Sequence, residues 1–146
     1  NWHVMVDQRE LFMMRCVEQG ELIAQCSVVH LPPPTSGETM TLTRFQQQIQ
    51  SSLGERFNRV AAATKSTHES GGRLYRIVVG GLANEIPFLW IYYHITDPQG
   101  SQSAIVFTIA NERVEQFADQ DRQLVKMMQF TENKTIQTAI TEVSKR

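Results

Sequence analysis

Arg73-Leu74-Tyr75-Arg76-Ile77-Val78-Val79, Phe88-Leu89-Trp90-Ile91-Tyr92-Tyr93-His94-Ile95 and Ser103-Ala104-Ile105-Val106-Phe107-Thr108-Ile109 follow one another within the stretch from Gly71 to Phe130, and they decide the fold. Each run is rich in β-branched and aromatic residues, which fit a pleated, packed surface, and each is bounded by turn residues. Gly71-Gly72 precedes the first run and Gly80-Gly81 is read as closing it. Pro87 has no backbone donor, so it suits the first position of the second strand. That strand is apolar on both faces. Trp90 and Tyr92 lie on one side and Leu89, Ile91 and Ile95 on the other, the pattern of a central strand covered on both sides. Asp97-Pro98-Gln99-Gly100 is a tight-turn sequence, so the third run is expected to return as a hairpin partner. With Thr96 facing Ser101, Tyr92 falls opposite Ile105 and Trp90 opposite Phe107.

After this hairpin, Asn111 is expected to cap one long helix, with Glu112 and Glu115 complementing its dipole. Val114, Phe117, Ala118, Leu124, Val125 and Met128 recur at helical spacing and predict a helix lying flat on the sheet. Asp121 interrupts that stripe where the period asks for an apolar residue. Two readings are open: a stripe-edge carboxylate reaching Arg122, Lys126 or a sheet arginine, or a partly buried carboxylate poised for acid–base work.

Working outward, Trp2, Val4 and Val6 form a first strand ended by Asp7-Gln8, and the runs from Leu11 to Val17 and Leu22 to Val29 form two more, joined at Gln19-Gly20. A two-residue turn there pairs Glu18 with Glu21, so Cys16 faces Ile23 and Cys26 faces Met13. The thiols then point to opposite faces, which disfavours a disulfide and predicts reduced core cysteines. His30-Leu31-Pro32-Pro33-Pro34-Thr35-Ser36-Gly37 is a stiff connector, since consecutive prolines exclude helix and ladder. Thr39 or Thr41 can cap a helix bearing Leu42, Phe45, Ile49 and Leu53 every three to four residues, and Gly54 suits its end. From Phe57 to His68 the pattern is less regular, and Val60 with Ala61, Ala62 and Ala63 leaves helix and strand both open, a strand ending near Thr67 being favoured. At the other end, Ile136, Ala139, Ile140 and Val143 predict a short amphipathic segment within residues 131–146. The domain proper spans 2–130.

Composition limits the function classes. A chain of 146 residues with 41% apolar content is about one domain. Fourteen basic against fifteen acidic residues leave a charge of −1, without the basic footprint of a nucleic-acid binder. No apolar run approaches the roughly 20 residues of a membrane helix. The chain begins at Asn1-Trp2 without Met, as a trimmed chain or the mature part of a longer precursor would, which leaves the compartment open, with an extracytoplasmic setting one of the readings.

Chemistry-bearing motifs are sparse. His3, His30, His68 and His94 have no cysteine or carboxylate at metal-ligand spacing, so no metal is expected. The glycine pairs lack the Lys and Ser or Thr of a phosphate loop and the spacing of a dinucleotide fingerprint, and no nucleophile elbow occurs. No cofactor is expected. His94, sharing a face with Trp90 and Tyr92, reads as a histidine satisfied by a hydrogen bond at a sheet edge. Asn133-Lys134-Thr135 fits a glycosylation acceptor, relevant only to a eukaryotic secretory protein.

The order of these elements carries a resemblance: a meander from Trp2, a helix with Phe45 and Ile49, a hairpin on Trp90-Ile91-Tyr92-Tyr93 and Ile105-Val106-Phe107-Thr108, then a long helix. It is similar to the PsbP-like proteins, extrinsic subunits of photosystem II and bacterial relatives, which share a fold with the Mog nuclear-transport factor that binds the GTPase Ran. The resemblance covers most of residues 2–130. It implies an α+β fold, an α/β/α sandwich whose antiparallel sheet of about six strands is flanked by helices on both faces. It also implies a non-enzymatic binding or assembly role, often outside the cytoplasm.

The leading expectation is therefore a non-catalytic module with a protein partner. A rival is an enzyme whose site gathers Asp121, His94, Arg76 and Tyr75 within hydrogen-bond reach at a sheet–helix junction. A third reading, suggested by Met13, Met14, Met127 and Met128, is a carrier of a small apolar ligand.

Overall fold

The computed structural model describes residues 2–32, 39–68 and 71–128. The apolar runs form seven strands: β1 (Trp2–Asp7), β2 (Leu11–Glu18), β3 (Glu21–Leu31), β4 (Phe57–Thr67), β5 (Arg73–Ala83), β6 (Ile86–Thr96) and β7 (Gln102–Ala110). All pair antiparallel in one sheet of order β1-β2-β3-β7-β6-β5-β4. Two hairpins turn on residue pairs with positive φ, Gln19 at 52° with Gly20 at 78°, and Asn84 at 52° with Glu85 at 67°. Such pairs match the twist of the strands they join.

Helix α1 (Leu42–Leu53) follows β3. Thr41 Oγ1 accepts from the Arg44 N–H at 3.1 Å, and Gly54 ends the helix with φ 56°, as the sequence suggested. Phe45, Ile49 and Leu53 of α1 pack on Tyr75, Ile77, Val79 and Trp90. The expected long helix after β7 is instead broken into α2 (Val114–Phe117) and α3 (Gln120–Met127), because Ala118 takes φ 54° between them. Asn111 caps nothing with its side chain; a short 3-10 turn, Asn111–Arg113, precedes α2. The break lets Phe117 drop into a second cluster beside Trp2 and Phe107, with ring centroids at 6.5 and 5.8 Å, while α3 adds Leu124 and Val125, and Met128 follows just past its end.

The expected α/β/α sandwich, a sheet of about six strands flanked by helices on both faces, is overturned. Strand makes up 56% of the described residues against 25% helix. Helical pieces of 12, four and eight residues are too short to form layers over a sheet of seven strands.

Three local expectations are also corrected. Strand β5 does not stop at Gly80-Gly81 but runs through them to Ala83. Asp97 Oδ1 accepts from the Gln99 and Ser101 N–H groups at 2.9 and 2.8 Å, which draws Ser101 into the loop and pairs Thr96 with Gln102. That one-residue slip puts Phe107 opposite Ile91 and Ile105 opposite Tyr93, on the face away from Trp90. A bulge between Cys16 and Val17 likewise sets Cys16 opposite Ala24 and Cys26 opposite Met14. Both cysteines therefore enter the same cluster, each fully buried and free of a disulfide. The 131–146 segment lies outside the described residues.

Gly81 shows how tightly β5 is enclosed. A Cβ there would collide with the Arg56 carbonyl and meet the Trp90 ring at 2.9 Å, whereas one at Gly80 would meet only the Arg59 side chain at 3.7 Å. Gly81→Ala is expected to cost about 2 kcal/mol in urea denaturation, and Gly80→Ala close to nothing; equal costs would contradict this packing.

Candidate functional site

Strand alternation decides where the four candidate residues go. Tyr75 pairs with His94 and Arg76 with Tyr93 across the β5–β6 ladder, so the two pairs face opposite sides of the sheet. Asp121 joins only one of them. Asp121, Leu124, Val125 and Met128 share a helical stripe and are all buried, so the carboxylate is carried to the sheet by the apolar residues around it.

There Arg76 Nε donates to Asp121 Oδ2 at 3.0 Å and to the Tyr93 hydroxyl at 3.1 Å. The Tyr93 O–H donates to the same Oδ2 at 2.5 Å. Asp121 is 1% exposed and the Arg76 side chain 14%. Burial opposes the Arg76 charge, but the Asp121 carboxylate and Tyr93 outweigh it and raise the guanidinium above its usual range. Burial, then the Asp121 carboxylate, pushes the Tyr93 phenol well up, so it stays a proton donor at all ordinary pH. Among the described residues Asp121 Oδ1 has no hydrogen-bond partner. The carboxylate is thus an anchor that fixes a sheet arginine, but it does so from a buried position within the stripe and not from its edge.

A cleft of about 400 Å³ opens beside this cluster, between α3 and the ends of β4 and β5. Thr64, Ser66, His68, Arg76, Arg122 and Lys126 contribute to its walls. His68, 4% exposed, ties the end of β4 to α3 through Nε2, which lies 2.9 Å from the Val125 carbonyl.

His94 lies on the other side, inside the sheet and not at its edge. Its ring packs against Phe45 at 5.5 Å and Tyr75 at 6.2 Å, and Nε2 lies 2.9 Å from Gln102 Oε1. With Nε2–H donating to that oxygen, Nδ1 is the bare nitrogen, buried and without a partner among the described residues. Burial lowers its pKa, the Arg73 charge adds to this, and Gln102 opposes it. Tyr75 donates to the Met40 carbonyl at 3.0 Å. The enzyme constellation of Asp121, His94, Arg76 and Tyr75 is therefore not assembled.

Other nucleophiles are quiet. Burial raises both thiols, Cys26 well above its usual range with the Asp121 carboxylate adding to the effect. Among the described residues no group of His, Cys, Asp and Glu could hold a metal ion, and no helix is long and apolar enough to cross a membrane. Of the methionines behind the carrier reading, Met14 and Met128 are fully buried in the core. Neither Tyr93 nor His68 was singled out as a site residue from the sequence; Tyr93 is drawn into the site by its place directly opposite Arg76 in the β5–β6 ladder.

No protein-family model matches the chain, and no curated protein does. Among solved structures it is similar to PA94 from Pseudomonas aeruginosa, a protein of unknown function described as a candidate regulator, with TM-score 0.64 at 6% identity over 84% of each chain. At that identity the likeness concerns the fold alone. It carries nothing about PsbP-like proteins.

Two outcomes follow from this geometry. Asp121→Ala leaves Arg76 and Tyr93 without their acceptor and is expected to cost about 3 kcal/mol in chemical denaturation; a cost within experimental error would refute the anchoring role. His94 favours its neutral form when folded, so its contribution is present above the ordinary value of 6.5 and is lost as pH falls below it. The melting temperature should drop between about pH 7.5 and about pH 5 by more in the native protein than in His94→Gln, and parallel profiles would exclude His94 as the source.

Proposed function

We propose that this domain is a non-catalytic protein-interaction or assembly module. The observation that carries the reading is the fate of its reactive groups: Arg76 and Tyr93 are both tied to Oδ2 of the buried Asp121, while His94 and Tyr75 are packed away on the opposite face. A catalytic acid or base must reach a substrate proton, and Asp121 and His94, each 1% exposed, are held from solvent. What remains open is recognition surface, with a cationic cleft and two sheet edges. A carrier of a small apolar ligand is less well supported, since Met14 and Met128, two of the methionines that suggested it, are buried in the core and do not line the cleft. The description of PA94 as a candidate regulator is in keeping with a binding role.

The test is whether the intact domain holds a protein partner in stoichiometric amounts through size-exclusion chromatography of the source extract. Retention of one is the expected result. The reading fails if the purified domain instead turns over a substrate and loses that activity, fold intact, in His94→Gln.

A further inference from the structure

The two edges of the sheet, β1 and β4, differ in how they are guarded. Strand β4 is 11 residues long, and among the described residues it pairs only with β5. Its irregularities fall between Phe57 and Arg59 and between Val60 and Ala62, at its start. From Ala62 to Thr67 the pairing with Val78 to Arg73 is unbroken, and Ala63 to Thr67 are all exposed. A regular, exposed edge presents a row of backbone donors and acceptors that can template another strand. Bulges, the usual protection, are missing from this half.

That same half borders the positive region. Thr64 and Ser66 line the cleft with Arg76, Arg122 and Lys126, and a second depression sharing Ser66 and Thr67 adds Lys65 and Arg73. Among the described residues no acidic side chain lines either depression. Five of the chain's 14 basic residues thus gather at one end of one edge, although the net charge is −1. Among the described residues both hydrogen bonds of the Arg76 side chain run through Nε, to Asp121 and Tyr93, and the side chain lines the cleft, so the guanidinium is held in place there for a further carboxylate.

We infer that Ala62–Thr67 of β4 is a strand-addition site for an extended polypeptide segment bearing carboxylates, its backbone pairing with the β4 edge and its acidic side chains turned to Arg76 and Arg122. This rests on the reading of the domain as an interaction module and names the kind of partner it takes. Backbone pairing supplies affinity without sequence preference, and the cleft supplies selection for charge.

The probe is a short synthetic peptide of alternating Glu and Val, its binding followed by backbone amide shifts of the full chain. Shifts confined to β4 and α3, affinity that falls as salt rises, and a loss of roughly tenfold in the exposed-site variant Arg122→Glu are expected. An otherwise identical peptide N-methylated at alternate residues should bind at least roughly tenfold more weakly. Equal binding of the N-methylated peptide, or of inorganic phosphate at the same residues, would overturn strand addition in favour of a simple anion cleft. Equal binding of a Lys–Val peptide, or shifts at β1 instead, would overturn the site. If a protein partner captured by the domain is held equally by Arg122→Glu, this inference fails while the interaction reading stands.

Discussion

Neighbouring residues of a β-strand point to opposite faces, and in the central β5–β6 ladder this alternation divides the polar chemistry of the molecule. Tyr75 and Arg76 are adjacent in sequence, as are Tyr93 and His94, yet each pair is split between two separate environments. On one side, Tyr75 and His94 are enclosed by α1. On the other, Arg76 and Tyr93 receive Asp121 from α3. No side-chain motion short of unfolding the sheet can bring the two sets together, so the distribution of function follows from backbone geometry.

Burying Asp121 is the cost that this arrangement carries. An ionised carboxylate removed from water is strongly unfavourable unless paired and hydrogen-bonded. Arg76 and Tyr93 offset that cost on Oδ2, and the apolar neighbours Leu124, Val125 and Met128 hold α3 in the position that makes the pairing possible. The pairing ties α3 to β5 and β6, and Arg76 is held where it lines the cleft. The Ala118 break serves the same end, because it separates the seating of Phe117 from that of α3.

Much of this was legible in the sequence. The strand runs, the Gln19-Gly20 turn and α1 with Thr41 and Gly54 at its ends each rest on local preferences that the structure preserves. What was not legible depends on single residues added to or removed from a ladder. The bulge after Cys16 and the Asp97 loop each shift a register by one, and no pattern of alternation announces either. The helix break at Ala118 was equally hidden, since Asp121, Leu124, Val125 and Met128 keep helical spacing on both accounts. Asp121 stood out as the wrong residue on an apolar stripe, but its partner Arg76 lies 45 positions away, and only the fold brings them together.

The measurement that tests the account most directly is a double-mutant cycle between Arg76 and Asp121, with stability read by urea denaturation. If the carboxylate exists to anchor the arginine, Arg76→Met and Asp121→Leu together should cost less than the sum of their separate effects, with a coupling of about 1 to 3 kcal/mol. Strictly additive costs would mean that the two groups act independently, and the reading of Asp121 as a structural anchor would have to be given up.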